Sequence, residues 1–115
     1  LKLASLALQE SEGEGDSQEE VTPESILRAA SHYFSLKESD ITGKSKRQDL
    51  VRARQICIYL MCDMLSVPLI SIGKVMGGRD HSTIIYARDK IADLMRLNDS
   101  VAKAVTDIKS AVLKQ

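Results

Sequence analysis

The stretch from Leu69 to Ile91, LISIGKVMGGRDHSTIIYARDKI, constrains this chain more than any other. It reads as a short helix, a Gly-Gly turn and a second helix opening at Asp80. Gly77 and Gly78 can take backbone angles that bulkier residues resist, so the chain can reverse tightly between the two helices. Asp80 stands where an N-cap is wanted, its carboxylate close to unsatisfied helix N–H groups. His81, Ser82 and Thr83 then supply three polar side chains on the first turn. In a helix-turn-helix, those first-turn residues of the second helix reach base edges in the major groove. The stretch therefore has the pattern of a DNA-reading unit.

The residues around it predict an all-α fold, a multi-helix domain built around the helix-turn-helix and a long central helix. Thr22 suits an N-cap and Pro23 a first helical position, and Ile26, Leu27, Ala30, Tyr33 and Phe34 follow one helical face. Lys37 to Gly43 allows a single short turn, capped by Ser39 or Asp40 and stopped by Gly43. A long helix is expected from Lys46 to Leu65, with Leu50, Ala53, Cys57, Leu60, Met61 and Met64 along one side. Its start is basic and its later part apolar nearly all round, as in a helix that enters a core. Pro68 ends it, because proline disfavours helix at the residue before it. Ile72, Val75 and Met76 face inward from the next helix, and Ile84, Ala87, Ile91 and Leu94 form the inner stripe of the one after. Asn98 or Asp99 caps a last helix lined by Val101, Val105, Ile108 and Val112. No alternating strand pattern and no internal repeat occurs.

Upstream of Thr22 the character changes. Leu1 to Leu8 is helix-prone but too short to be stable alone, and it reads as the end of an upstream helix. A Leu rather than a Met at position 1 points to a fragment or processed product. Residues 9–21 read as an acidic flexible linker, with Glu10, Glu12, Glu14, Asp16, Glu19 and Glu20 and no base among them. This linker makes the net charge of zero misleading. Without Lys2 and those six acids, fifteen bases face ten acids, a net of +5 for the rest. Lys44, Lys46, Arg47, Arg52 and Arg54 fall within eleven residues against Asp49 alone. Just ahead of a helix-turn-helix, such a cluster suits phosphate contact.

Other chemistries find little support. Asp80, His81 and Ser82 have the residue types of a hydrolytic triad. Consecutive helical residues, however, point roughly 100° apart and cannot form a nucleophile–base–orienter chain. No G-x-x-x-x-G-K-[ST] loop is present, so no nucleotide-binding loop and no enzyme activity is expected here. Cys57 and Cys62 have neither redox nor zinc spacing and read as buried thiols of a reducing compartment. His32 lies off the apolar stripe and has no assigned role. No apolar run approaches the ~20 residues that span a bilayer, and no signal sequence is visible, so a cytoplasmic location is expected.

From Gly73 to Ile91, within IGKVMGGRDHSTIIYARDKI, the chain resembles the bacterial chromosomal replication initiator family DnaA, in its C-terminal DNA-binding domain. The family signature there is close to IGxxFGGRDHxTVxxAxxKI. The likeness extends more loosely over TPESILRAASHYF and SDITGKSKRQDLVRARQICIYL to the C-terminus, so that residues 22–115 form the domain. The RARQ of Arg52 to Gln55 is a further typical element. Leu1 to Leu8 is similar to the end of the preceding ATPase module's lid.

The resemblance implies sequence-specific binding of double-stranded DNA at DnaA boxes in a replication origin, in a bacterial cytoplasm and in association with the nucleoid. It places base contacts on Asp80, His81 and Ser82, with Thr83 beside them. Asp can accept from a cytosine amino group, and hydroxyls and small methyls can address thymine and mixed edges. A basic side chain in the adjacent minor groove falls on Lys46, with Arg47 next to it, when the chain is aligned back from RARQ. Backbone contacts fall on Leu69 and Ile70 at the start of the first helix of the pair, and on Arg54, Gln55, Tyr86 and Lys90. ATP, further copies of the initiator and acidic phospholipids are partners implied for the full-length family, with no cofactor for this fragment.

The chain also departs from the family pattern. Met76 stands for the usual Phe, Ile70 for Pro, Cys62 for a basic residue and Tyr86 for His. Lys46 presents a point charge where an arginine would present a fork, which softens sequence discrimination. Two alternatives stay open: the DNA-binding domain of a transposase or repressor, and a helical protein-interaction module.

Overall fold

The computed structural model describes residues 21–114. The upstream helix end and acidic linker expected over residues 1–20 lie outside them. Six helices and no strand occur among the described residues. The all-α expectation holds.

Helix α1 (Pro23–Phe34) starts at a reciprocal cap: Thr22 Oγ1 accepts the Ser25 N–H, and Ser25 Oγ accepts the Thr22 N–H, each at 3.0 Å. Two orphan donors of the first turn are thereby satisfied. Ile26, Leu27 and Ala30 turn into the core. Helix α2 (Glu38–Ile41) begins after Lys37 with no side-chain cap. Ser39 and Asp40, expected as caps, lie inside its single turn, and Thr42 rather than Gly43 ends it. Its one buried residue, Ile41, pins it to the core.

Helix α3 (Gln48–Met64) is the axis of the domain and packs against each of the other five helices. It begins two residues later than the apolar pattern suggested, so Lys46 and Arg47 belong to the preceding loop. Leu50, Ala53, Ile56, Cys57, Ile58, Leu60 and Met61 are all buried, which explains why its second half is apolar nearly all round. Cys57 is a packing group: burial pushes its thiol up to about 12. Cys62 departs from the expectation of a buried thiol, being only half-buried.

Helices α4 (Leu69–Val75) and α5 (His81–Leu97) form the helix-turn-helix, and α6 (Asp99–Leu113) closes the bundle. Asn98, not Asp99, caps α6, its Oδ1 accepting from the N–H groups of Ser100 and Val101. Val101, Ala104, Val105, Ile108 and Val112 form the buried face of α6. Two surface links seat α6: Tyr33 donates to Asp107 at 3.2 Å, and Lys109 pairs with Asp63 at 2.9 Å. Exposed pairs of this kind contribute little; the aliphatic core holds the bundle together.

Candidate nucleic-acid interface

The turn between α4 and α5 is built around three glycines with different jobs. Gly77 (φ 85°) and Gly78 (φ 83°) occupy the left-handed region that L side chains avoid. The Gly73 carbonyl accepts the N–H groups of both Gly78 and Arg79, at 2.9 and 3.0 Å, and so fastens the turn to α4. Gly73 is itself buried, and a Cβ there would collide with the Arg79 carbonyl oxygen. Met76, with no exposed surface, fills the position usually held by Phe.

Asp80 caps α5 as expected. Its Oδ1 accepts from the Thr83 N–H and from the Thr83 hydroxyl, each at 3.0 Å. Thr83 is exposed, not packed inward. The backbone N–H of Thr83, followed by its hydroxyl, holds the Asp80 carboxyl below the ordinary carboxylate range. A lowered pKa stabilises the fold at pH values above the unfolded-state pKa of about 3.9, and that contribution is lost as pH falls through the folded-state value. Asp80→Asn can still accept the cap bonds but cannot titrate. The stability gap between wild type and Asp80→Asn should therefore shrink between pH 7 and about pH 3 in denaturant unfolding. A gap independent of pH would mean that the carboxylate charge contributes nothing to the cap.

Ile84, Ala87 and Ile91 bury one side of α5, at 0, 2 and 0 % exposure. Successive helical residues turn by about 100°, so this anchoring fixes the opposite side toward solvent. Ser82 and Tyr86 are exposed there, His81 and Lys90 are exposed on the two flanks, and Tyr86 shows 61 % of its surface. Asp89 is exposed on the same side, with its carboxylate held by Arg88 Nε at 3.1 Å. At the start of α4, Leu69 is half-buried and Ile70 is 64 % exposed.

The basic loop lies between α2 and α3. Lys44, Lys46 and Arg47 are all exposed. Among the described residues the Lys46 ammonium has no ion-pair or hydrogen-bond partner, whereas Arg47 lays its fork on Asp49, both bonds 2.9 Å long. The two neighbouring bases are thus in different states, Lys46 available and Arg47 paired.

Arg54, expected at the DNA backbone, is engaged inside the domain. Only 8 % exposed, it donates Nε to the Ile41 carbonyl at 2.7 Å, Nη1 to Ser45 at 3.0 Å and Nη2 to Asp40 at 3.4 Å. A guanidinium with three carbonyl partners inside the domain has little left for a phosphate. Gln55 beside it is half-buried.

Arg79, given no role from the sequence, has a similar environment. Its Nη1 donates to the Thr42 carbonyl at 3.0 Å and to that of Met76, and its Nη2 donates to that of Gly43. Burial lowers the pKa of both arginines, and the Arg79 charge adds to the effect on Arg54. The signals for Arg79 in the sequence were its place between the glycine turn and the cap and its fixed position in the GGRDH of the family signature.

No helix among the described residues is long and apolar enough to cross a membrane, and no group of metal-ligating side chains occurs among them.

Comparison with known proteins agrees with this geometry. Residues 23–91 match the family described as bacterial dnaA protein helix-turn-helix. The chain is 37 % identical over 92 residues to the chromosomal replication initiator protein DnaA of Leifsonia xyli subsp. xyli, covering 80 % of this chain and 20 % of that protein. It is 37 % identical over 100 residues to that of Pelobacter propionicus, with 87 and 22 % coverage. It is 38 % identical over 96 residues to that of Bifidobacterium animalis subsp. lactis, with 84 and 16 % coverage. The chain thus spans about a fifth of the length of the curated relatives it matches. The matched unit is a helix-turn-helix and not a catalytic module. This chain belongs to the bacterial DnaA helix-turn-helix family.

Proposed function

We propose that this domain binds double-stranded DNA in a sequence-specific manner, at DnaA boxes of a bacterial replication origin. The observation that carries this reading is the exposed first turn of α5. It is capped by Asp80, anchored from behind by Ile84, and set beside a loop with an available Lys46. Asp80, His81, Ser82 and Thr83 would meet base edges in the major groove, while Lys46, joined by Arg47 once it leaves Asp49, would enter the adjacent minor groove. Tyr86 and Lys90, further along the exposed side of α5, and Leu69 and Ile70 at the start of α4 suit the phosphate backbone. Arg54 contributes from inside, by shaping the loop. On this reading ATP binding and assembly with further copies belong to other parts of a longer initiator.

Fluorescence anisotropy with a labelled box duplex and a scrambled one tests the reading. Wild type should prefer the box, and its affinity should fall steeply with salt as counterions are released. His81→Ala should weaken box binding by about 1–3 kcal/mol while leaving scrambled DNA little affected. Lys46→Ala should lower the salt slope by about one. Equal wild-type affinity for both duplexes would refute sequence specificity.

A further inference from the structure

Past the backbone bonds of Thr42 and Gly43 to α2, the loop that carries Lys44, Lys46 and Arg47 has no helix or sheet ladder of its own. Side chains supply the rest of its support. The carbonyls of Asp40, Ile41 and Ser45 accept from Arg54, and those of Thr42 and Gly43 accept from Arg79. Five carbonyls in six consecutive residues are thus bound by two guanidinium groups.

Arg79 is also the residue before the α5 cap, and it bonds the Met76 carbonyl at the end of α4. One planar fork therefore bonds both segments, its Nη1 shared between the helix-turn-helix turn and Thr42 and its Nη2 on Gly43. The backbones themselves are close. A Cβ on Gly77 would collide with the Thr42 carbonyl oxygen and would lie 2.9 Å from Arg79 Nη1. A guanidinium suits this task because it offers five donors in fixed directions, whereas an ammonium on a flexible stem fixes no direction. Its positive charge meets carbonyl dipoles here, not a carboxylate.

The geometry points to Arg79, supported by Arg54, as a positioning residue that fixes the Lys46–Arg47 loop relative to the Asp80–Thr83 turn without touching DNA. This inference rests on the DNA-binding reading above. Its consequence is coupling: the loop contact is made with full strength only while the clamp holds it at the correct distance from α5. A residue that merely stabilised the fold would change the folded fraction and leave the Lys46 contribution intact. A residue that bound phosphate would add its own share to Lys46.

The test uses the whole 115-residue chain with Arg79→Gln, Lys46→Ala and the double variant, titrated against box duplex at several salt concentrations. Arg79→Gln should weaken binding about tenfold or more and remove about one unit of salt slope, because Lys46 is no longer delivered. In the Lys46→Ala background the same change should cost less than about threefold and leave the slope unchanged. Losses that multiply, with a further unit of slope removed in that background, would make Arg79 a direct phosphate ligand and overturn the proposal. Arg79→Lys provides a second route, since it keeps the charge but loses the fork, and it should reproduce the pattern if Arg79→Gln does not fold.

Limited trypsin digestion of the free protein gives a readout independent of DNA. Cleavage after Lys44, Lys46 and Arg47 should accelerate about tenfold or more in Arg79→Gln relative to cleavage after Lys103, as the loop opens locally. If that acceleration occurs while wild type fails to distinguish box from scrambled DNA, the clamp stands and the DNA reading falls. Unchanged cleavage in a protein that does discriminate would overturn the clamp alone.

Discussion

Truncating Ile84 to Ala should destabilise the domain by about 2–5 kcal/mol, the range for removing a large buried aliphatic side chain without full collapse of the site. Ile84 has no exposed surface and lies one residue after the first-turn residue Thr83. It reaches α4 as well, since a Cβ on Gly73 would lie 3.8 Å from its Cγ1. Small domains have only about 5–15 kcal/mol of net stability, so the loss is a large share of the total. Denaturant unfolding followed by circular dichroism should show a lowered midpoint with an unchanged slope. The molecules that remain folded should bind box DNA within about twofold of wild type, because the exposed side of α5 is chemically untouched. A cost below 1 kcal/mol would mean that the site relaxes to fill the gap and that Ile84 is not the anchor described here.

What the sequence revealed and what it hid follow from the range of the interactions involved. Caps and stripes are local, so Thr22, Pro23, Asp80 and the Ile84–Ala87–Ile91 face were legible from spacing and side-chain chemistry. The glycine turn was legible too, because its two positive φ angles restrict the residue types allowed. The start of α3 was not. The apolar period does not show where a helix begins inside a basic run, and Lys46 and Arg47 proved to be loop residues. The bonds of Arg54 to the loop carbonyls were hidden for a more general reason. A cation in a basic cluster has the same appearance in sequence whether it faces a phosphate or a carbonyl. The partners of Arg54 lie nine to fourteen residues away, and the loop partners of Arg79 lie 36 and 37 away. Nothing in the local pattern reports contacts at that separation. Cys62, expected to be buried like Cys57, sits five residues further on, at the edge of the packed face.

Gly73→Ala should be a second severe change, and it should affect function in the opposite way to Ile84→Ala. Alanine is the better helix former, by about 0.5–1 kcal/mol over glycine, so exposed glycines in helices commonly gain from the exchange. Gly73 cannot, because its Cβ would collide with a backbone oxygen, that of Arg79, which no rotamer change can move away. Inserting a methyl into a packed site typically costs about 1–3 kcal/mol, and here the displaced group is the peptide leading directly to the Asp80 cap. The Gly73 carbonyl also holds the Gly78 and Arg79 N–H groups, so separating α4 from the turn strains both bonds. Relief requires α5 to move relative to α4, and that movement carries Asp80, His81 and Ser82 out of register with the DNA. At temperatures well below both unfolding midpoints, Gly73→Ala should lose about tenfold or more in box affinity while retaining its non-specific, salt-dependent binding. Ile84→Ala, destabilised as much or more, should retain box affinity. Anisotropy titrations of both variants on box and scrambled duplexes, beside their unfolding curves, separate loss of stability from loss of register. If folded Gly73→Ala bound the box like wild type, the α4–α5 spacing would not be what places the reading side chains.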